Sequence, residues 1–311
     1  MNTWKRRPKK LMKKPYNDLK SHLKSKYGES VYRVPIDAGF TCPNRDGTLS
    51  DKGCIYCDQS GSGFSVNSYL SMKDQMNEKI ETLKRRNINS YMAYFQANSN
   101  TYAPVEKLES LYRKALEVRG VKVLDISTRP DLVSEDVLTL LERLNKEIDV
   151  ILELGLQTIN EETLIKINRK HDFSQFIDAV VRAKKHDLEI VVHMITNLPW
   201  DSINDVKRGA KYLSALGIDG VKLHSLYIVD GSPMGEAYKK GNIKICSIEE
   251  YIERTITFLE YLSPKIVIHR LVADPPIEGT LFGNWGKRKI ELINLIEKKM
   301  LEENRFQGSK F

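Results

Sequence analysis

The sequence predicts an α/β protein. Residues 31–226 read as a partial (βα)6 barrel, residues 1–30 as a basic N-terminal arm, and residues 227–311 as a C-terminal α/β extension on the substrate side. Three observations lead there. Six apolar runs alternate with five amphipathic stretches, a spacing that favours right-handed βαβ units and a parallel sheet. Polar residues recur on one face of several runs, where a barrel filled only for stability would carry branched apolar side chains. No run approaches the ~18 apolar residues of a membrane span, and the start lacks the apolar segment of a secretory signal, so a cytoplasmic, membrane-free protein is expected.

The first 26 residues hold ten Lys and Arg against one acid, Asp18, in a chain of formal net charge +8. One reading is an electrostatic arm for nucleic-acid phosphates, with Trp4, Tyr16 and Tyr27 available for stacking. The other is a solubilising, partly disordered terminus. Strands are expected at Val31–Ile36, Tyr91–Phe95, Val121–Ile126, Val150–Leu156, Ile190–Ile195 and Val221–Leu226. Pro35 suits the end of the first strand or a sheet edge. Helices are expected between them at Met72–Arg85, Val105–Val118, Ser134–Leu144, Phe173–His186 and Ile203–Ala215.

Strand periodicity then sorts side chains between the helices and the lumen. In LELGLQ, Leu152, Leu154 and Leu156 suit packing under helices, which turns Glu153, Gly155 and Gln157 inward. Tyr94, Gln96 and Asn98 follow the same rule at the second strand, Asp125, Ser127 and Arg129 at the third, His193 at the fifth, and Lys222 and His224 at the sixth. A lumen this polar implies a ligand at the C-terminal strand ends, where βα barrels place their sites.

The stretch CPNRDGTLSDKGCIYC, residues 42–57, carries three of the four cysteines. In a chain so poor in cysteine this points to metal binding or catalysis rather than a secreted disulfide framework. Cys54 and Cys57, two residues apart, can turn both sulfurs toward one metal centre, and Cys42 precedes them by eleven intervening residues. Two centres remain open on spacing alone. A zinc site would recruit distant Cys246 as its fourth ligand, whereas three thiolates on a four-iron cluster leave one iron free to bind a small molecule.

Cys42, Cys54 and Cys57, with Tyr56 before the last and a βα repeat behind them, resemble the cluster loop of the radical S-adenosylmethionine (SAM) superfamily. The spacing of eleven and two departs from the usual three and two, which marks a particular branch. ISTRPDLV (126–133), ELGLQTINEETLIKINRKH (153–171) and HMITNLPWD (193–201) are similar to the radical SAM domain of the Elongator catalytic subunit. DAGFTCPNRDG, STRPD, VKLHSLYIVDGS and VIHRL look closer to a smaller bacterial family, the YtqA or MnmL type. The resemblance covers roughly residues 37–285.

That resemblance implies a partial radical SAM barrel, a [4Fe-4S] cluster on Cys42, Cys54 and Cys57, and SAM on the open iron. It implies SAM contacts from the backbone around Tyr56 and from Gln157 and Arg169. Gln96, Asn98, Asn100 and Thr101 stand in FQANSNTYAP, which replaces the usual glycine-rich segment, and Ser127 stands where relatives often carry glutamate. Arg129, Glu153 and His193 complete the expected cofactor set. His171, Lys222, His224, His269 and Arg270 are expected toward the substrate, for which a phosphate or carboxylate would suit them. Trp200 is read as packing and Cys246 as an ordinary thiol.

The implied function is tRNA modification, converting a 5-carboxymethylaminomethyl wobble-uridine side chain toward 5-aminomethyl with an electron donor such as flavodoxin or ferredoxin. The residues after Leu226 are too few and too differently patterned for the acetyltransferase domain of the Elongator-like subunit. The alternatives are a zinc-stabilised RNA-binding protein without catalysis, or a radical SAM enzyme acting on a small molecule or a protein.

Overall fold

A computed structural model describes residues 14–58, 60–61, 63–64 and 66–311; most of the basic arm's charge, and Trp4, lie outside these. Its frame is a curled parallel sheet. The strands are β1 (Val31–Ile36), β2 (Ser90–Phe95), β3 (Val121–Thr128), β4 (Asp149–Gln157), β5 (Glu189–Ile195) and β6 (Gly220–His224), hydrogen-bonded in that order. Each predicted strand is present, with ends displaced by a few residues at most.

A seventh strand, Val267–Arg270, pairs in parallel with β6 and extends the half-barrel. It belongs to the region read as a separate extension, so residues 227–311 supply part of the barrel wall itself. A two-stranded ribbon, Ile228–Val229 with Thr280–Phe282, lies apart from this sheet. A further helix in the same region, Ile248–Tyr261, is buried along most of its length.

The connecting helices start where a side chain can satisfy free backbone N–H groups. Ser71, Ser134, Asp172 and Ser202 each accept a backbone N–H from the first turn of the helix they precede. Asp172 with Gln175 and Ser202 with Asp205 close reciprocal capping boxes. Leu152, Leu154 and Leu156 are fully buried in one apolar cluster with Leu138, Leu141 and Phe176 from the helices, as the two-residue period requires. Helix Glu161–Lys166 was not predicted as a separate element; its six residues are too few to show a helical period.

The lumen is filled in layers. Val31, Met92, Val123, Ile151 and Val191 form an apolar floor, closed from below by Leu23 of helix α1 (Leu19–Tyr27). Two residues further along the strands the filling becomes charged, with Arg33, Tyr94, Asp125, Glu153 and His193. Beyond that layer lies the cavity.

Helix α1 corrects one expectation. The segment from Lys14 to Tyr27 does not project as an arm: Ile268 N donates to Asn17 O at 2.7 Å, and Lys26 pairs with Asp149 at 3.0 Å. Tyr16 is 9% exposed and donates to Glu297, so its ring is not free to stack on a base, and the hydroxyl of Tyr27 is tied to Asp149.

Candidate functional site

The cysteine loop leaves β1 and folds back over the mouth of the barrel. Arg45 N and Asp46 N donate to Cys42 O, and Cys57 N to Cys54 O at 3.0 Å, so each cysteine sits in a hydrogen-bonded turn. Gly53 takes a left-handed φ of 68°, a conformation that side-chain-bearing residues rarely adopt. The loop is clamped to the segment after β4. Asn44 Nδ2 donates to Asn168 O, Asn168 Nδ2 donates to Gly53 O, and Ile55 N donates to Ile167 O.

Cys42, Cys54 and Cys57 together line a cavity of about 240 Å³. The same wall carries Tyr56, Gln96, Asn98, Ser127, Arg129, Gln157, Arg169, His193, His224 and Arg270, ten of the residues expected at the cofactor or substrate. Cys246 is not in this wall; its carbonyl accepts from Trp285 Nε1 at 2.9 Å. Trp200 packs against the small apolar cluster of Leu198, Leu226 and Met234, the space-filling role expected of it.

The thiols sit among N–H donors. Asn44 Nδ2 is 3.4 Å and Arg169 Nη1 3.5 Å from Cys54 Sγ, and Arg45 Nη1 is 3.8 Å from Cys57 Sγ. Burial works to raise the Cys54 pKa, but the charge and hydrogen bond of Arg169 bring it below the usual thiol value. Burial and the neighbouring Cys54 push Cys57 up to about 12, so this pair shares one negative charge more readily than two.

Among the described residues, no set of three or more His, Cys, Asp or Glu side chains is arranged to hold a single metal ion. A tetrahedral zinc site needs such convergence, whereas a four-iron cluster gives each thiolate its own iron. Donor chemistry, shared cavity and flanking N–H groups therefore fit the cluster.

Beside the thiols the cavity holds unmatched donors suited to SAM. Arg129 forks onto Asp131 with both contacts at 2.9 Å, leaving its Nη1 buried without a partner, and Arg169 Nε is likewise unpartnered. Gln157 ends β4 at φ 77°, a left-handed backbone that glutamine adopts only under constraint, next to a register shift against β5. Gly155 before it has no room for a side chain. A Cβ there would lie 2.6 Å from Arg169 Nη2 and 3.0 Å from Gln157 Nε2.

Six predicted residues do not line the cavity: Thr101, whose Oγ1 lies 2.6 Å from Thr128 Oγ1 and donates to Leu132 O at 2.8 Å, and five that support the cavity from behind. Asn100 Nδ2 donates to Ser127 O and Phe95 O, tying the ends of β2 and β3. His171 Nε2 is 3.2 Å from Gly155 O; burial and then Arg169 lower its pKa to about 3, so the ring is neutral. Glu153, Lys222 and His269 lie in the charged layer. Glu153 accepts from Arg33 at 3.1 Å, Ser127 at 2.7 Å, Lys222 at 2.7 Å and His193 at 2.8 Å, and it is fully buried beneath the cavity rather than in its wall.

Burial favours a neutral Glu153, yet Lys222, His193 and Arg33 hold its pKa well below the ordinary value. Burial brings Lys222 down to about 7, although Glu153 acts to raise it. His269 contacts Arg33 Nη2 through Nδ1 at 2.8 Å.

Sequence reasoning missed Arg33 and Arg45. Arg33 joins Asp125, Glu153 and His269, and its signal was one charge inside a short strand, which reads equally as a solvent-facing residue. Arg45 stands three residues after Cys42 in no periodic pattern.

Comparison with known proteins adds three findings. The profile of the Radical SAM superfamily matches residues 42–213, and that of the Radical_SAM C-terminal domain matches residues 218–302. The uncharacterized protein YtqA of Bacillus subtilis (strain 168) is 36% identical over 306 residues, 96% of this chain and 93% of that protein. A tRNA uridine(34) acetyltransferase of Methanocaldococcus infernus is 29% identical over 172 residues, 53% of this chain and 32% of that protein. Among solved structures, the archaeal Methanocaldococcus infernus Elp3 with an N-terminal deletion superimposes with a TM-score of 0.70 at 20% identity. That match covers 89% of this chain and 64% of the archaeal one, and at such identity it speaks for the fold alone.

Proposed function

The chain belongs to the radical SAM superfamily, and from that membership we propose that it modifies tRNA, converting a 5-carboxymethylaminomethyl wobble-uridine side chain toward 5-aminomethyl. Its cofactors are a [4Fe-4S] cluster and SAM. The observation that carries the reading is the single cavity on which Cys42, Cys54 and Cys57 meet Tyr56, Gln157, Arg129 and Arg169.

The three cysteines hold the cluster, and Asn44, Arg45 and Arg169 direct N–H groups at their sulfurs, which lowers the cost of gathering thiolates in a partly buried site. Gln157, Ser127 and the unpartnered nitrogens of Arg129 and Arg169 orient SAM. His171 and Arg169 both reach Gly155 O and fix the strand end from which Gln157 projects. When bound, the cluster and SAM supply an electron and a carbon-centred radical able to remove a hydrogen atom. The protein then excludes water and presents the substrate through His193, His224 and Arg270.

The tRNA substrate draws support from the likeness to the uridine(34) acetyltransferase and from the basic N-terminal residues. Phosphate contacts by that segment would position the tRNA, and the wobble base would leave its stack to enter the cavity. A flavodoxin or ferredoxin is the proposed electron donor. No helix among the described residues is long and apolar enough to cross a membrane.

Mass analysis of wobble nucleosides from cells lacking the protein tests the reading. Accumulation of 5-carboxymethylaminomethyl forms with loss of 5-aminomethyl or methylaminomethyl forms is expected, and an unchanged profile removes this substrate.

A further inference from the structure

In the cavity wall Arg129 is paired with Asp131, Arg169 with Cys54 and Gly155 O, and Arg45 with Cys57 and Asp58 O, and the charges beneath and beside the wall are paired as well. In the charged layer Arg33 and Lys222 face Asp125 and Glu153, two of each sign. At the rim Lys289 holds Asp274 at 2.6 Å. Arg270, at the end of the last barrel strand, is left over. It lines the cavity, and among the described residues its guanidinium has no hydrogen bond or ion pair.

His224, on the neighbouring strand, also lines the cavity and buries Nε2 without a partner. Its ring lies 5.3 Å from that of His193, whose Nε2 is committed to Glu153. Burial and then the charge of Arg270 keep His224 well below the usual imidazole pKa, so it is neutral with one N–H to donate.

We propose that Arg270 and His224 form a carboxylate subsite that receives the substrate's side-chain carboxylate and makes the enzyme prefer 5-carboxymethylaminomethyluridine over 5-aminomethyluridine. This rests on the functional reading above. A guanidinium offers a fork that a carboxylate fills with two parallel hydrogen bonds, and an unmatched cation in a partly desolvated wall gains most from an anion. SAM carries a carboxylate too, but Arg169, beside Cys54 and Gly155 at the end of β4, is the guanidinium nearest the thiols. Arg270 stands beyond β5 and β6 in the sheet, away from that strand end.

The test uses the reconstituted full chain with SAM and two anticodon stem-loops that differ only in carrying 5-carboxymethylaminomethyl- or 5-aminomethyluridine. Dissociation constants for both, and for SAM alone, are measured for wild type, Arg270→Gln and Arg270→Lys. The wild type is expected to favour the carboxylate-bearing loop by about tenfold or more, as for a charge-assisted hydrogen bond. Arg270→Gln is expected to bind the two loops within roughly twofold. Arg270→Lys, which keeps charge without the fork, is expected to recover part of the preference.

A full preference surviving in Arg270→Gln overturns the subsite and leaves the functional reading standing. A preference that falls only as SAM affinity falls assigns the carboxylate to SAM and also overturns it. A wild type that binds both loops equally overturns it as well, and the nucleoside profile of cells lacking the protein then decides the wider reading separately.

Discussion

Arg169 joins the cysteine loop to the barrel: its Nη1 donates to Cys54 Sγ at 3.5 Å while its Nη2 donates to Gly155 O at 2.6 Å. One planar fork therefore spans a proposed cluster ligand and the strand end beside Gln157. A lysine is a point charge and cannot reach both. Arg169→Lys is expected to bind SAM at least tenfold more weakly, about 1.4 kcal/mol, and to do no better than Arg169→Ala. Calorimetric titration of SAM into the reconstituted variants checks this, and near-wild-type affinity in the lysine variant would show that charge alone suffices.

Gly155 gives a prediction of the same kind without removing any functional group. A methyl at this position meets Arg169 Nη2 at 2.6 Å and Gln157 Nε2 at 3.0 Å, so Gly155→Ala must displace both. The variant is expected to keep its thermal unfolding within a few degrees of wild type and lose SAM affinity by roughly tenfold. Unchanged SAM binding would mean that neither side chain needs its present position.

The cysteines separate the cluster from its zinc alternative. Cys42→Ala, Cys54→Ala and Cys57→Ala should each lose iron and sulfide on anaerobic reconstitution, while Cys246→Ala, outside the cavity wall, should load normally. Iron lost in Cys246→Ala, or zinc bound without sulfide in the wild type, would favour the four-cysteine site.

A pH prediction comes from the C-terminal packing. Hydrogen bonds from Arg305 hold the Glu253 pKa at about 2 against the ordinary 4.5, with burial opposing and Lys299 assisting. Its folded pKa is depressed, so its contribution is present above pH 4.5 and is lost as pH falls toward 2. The Glu253 side chain is 35% exposed, and solvent screening reduces the effect to ~1 kcal/mol at pH 7. Urea unfolding of the apo-protein should show Glu253→Gln less stable by that amount at pH 7, with the gap narrowing as pH falls from 4.5 toward 2.

Contacts with tRNA phosphate are expected chiefly from residues outside the described structure. Lys14 pairs with Glu297 and Lys26 with Asp149, whereas residues 2–13 hold six Lys and Arg. Deleting residues 2–13 is expected to weaken tRNA binding broadly and to flatten the dependence of log K on log salt by ~0.9 for each phosphate released. A salt slope unchanged by the deletion would reduce this segment to a solubilising terminus.

The repeating part of this architecture was readable from the sequence because it is periodic. Leu152, Leu154 and Leu156 against Glu153, Gly155 and Gln157 is a two-residue alternation, and it placed those six residues on the correct sides of the sheet. Which inward residues reach the ligand depends on depth, and periodicity carries no depth. Glu153 and Gln157 share a face, yet one is enclosed by four donors and the other lines the cavity. Helix α1 was hidden by its lysines, since its single buried leucine, Leu23, makes no stripe. The last barrel strand was missed because four residues, Val267–Arg270, are too few to establish a period.

Production of 5'-deoxyadenosine tests the central claim most directly. The anaerobically reconstituted chain is incubated with SAM and dithionite, and the nucleoside is quantified by liquid chromatography and mass spectrometry. Wild type should release 5'-deoxyadenosine and Cys54→Ala none; a wild type that carries its full iron and sulfide, binds SAM and yet releases none would contradict the account.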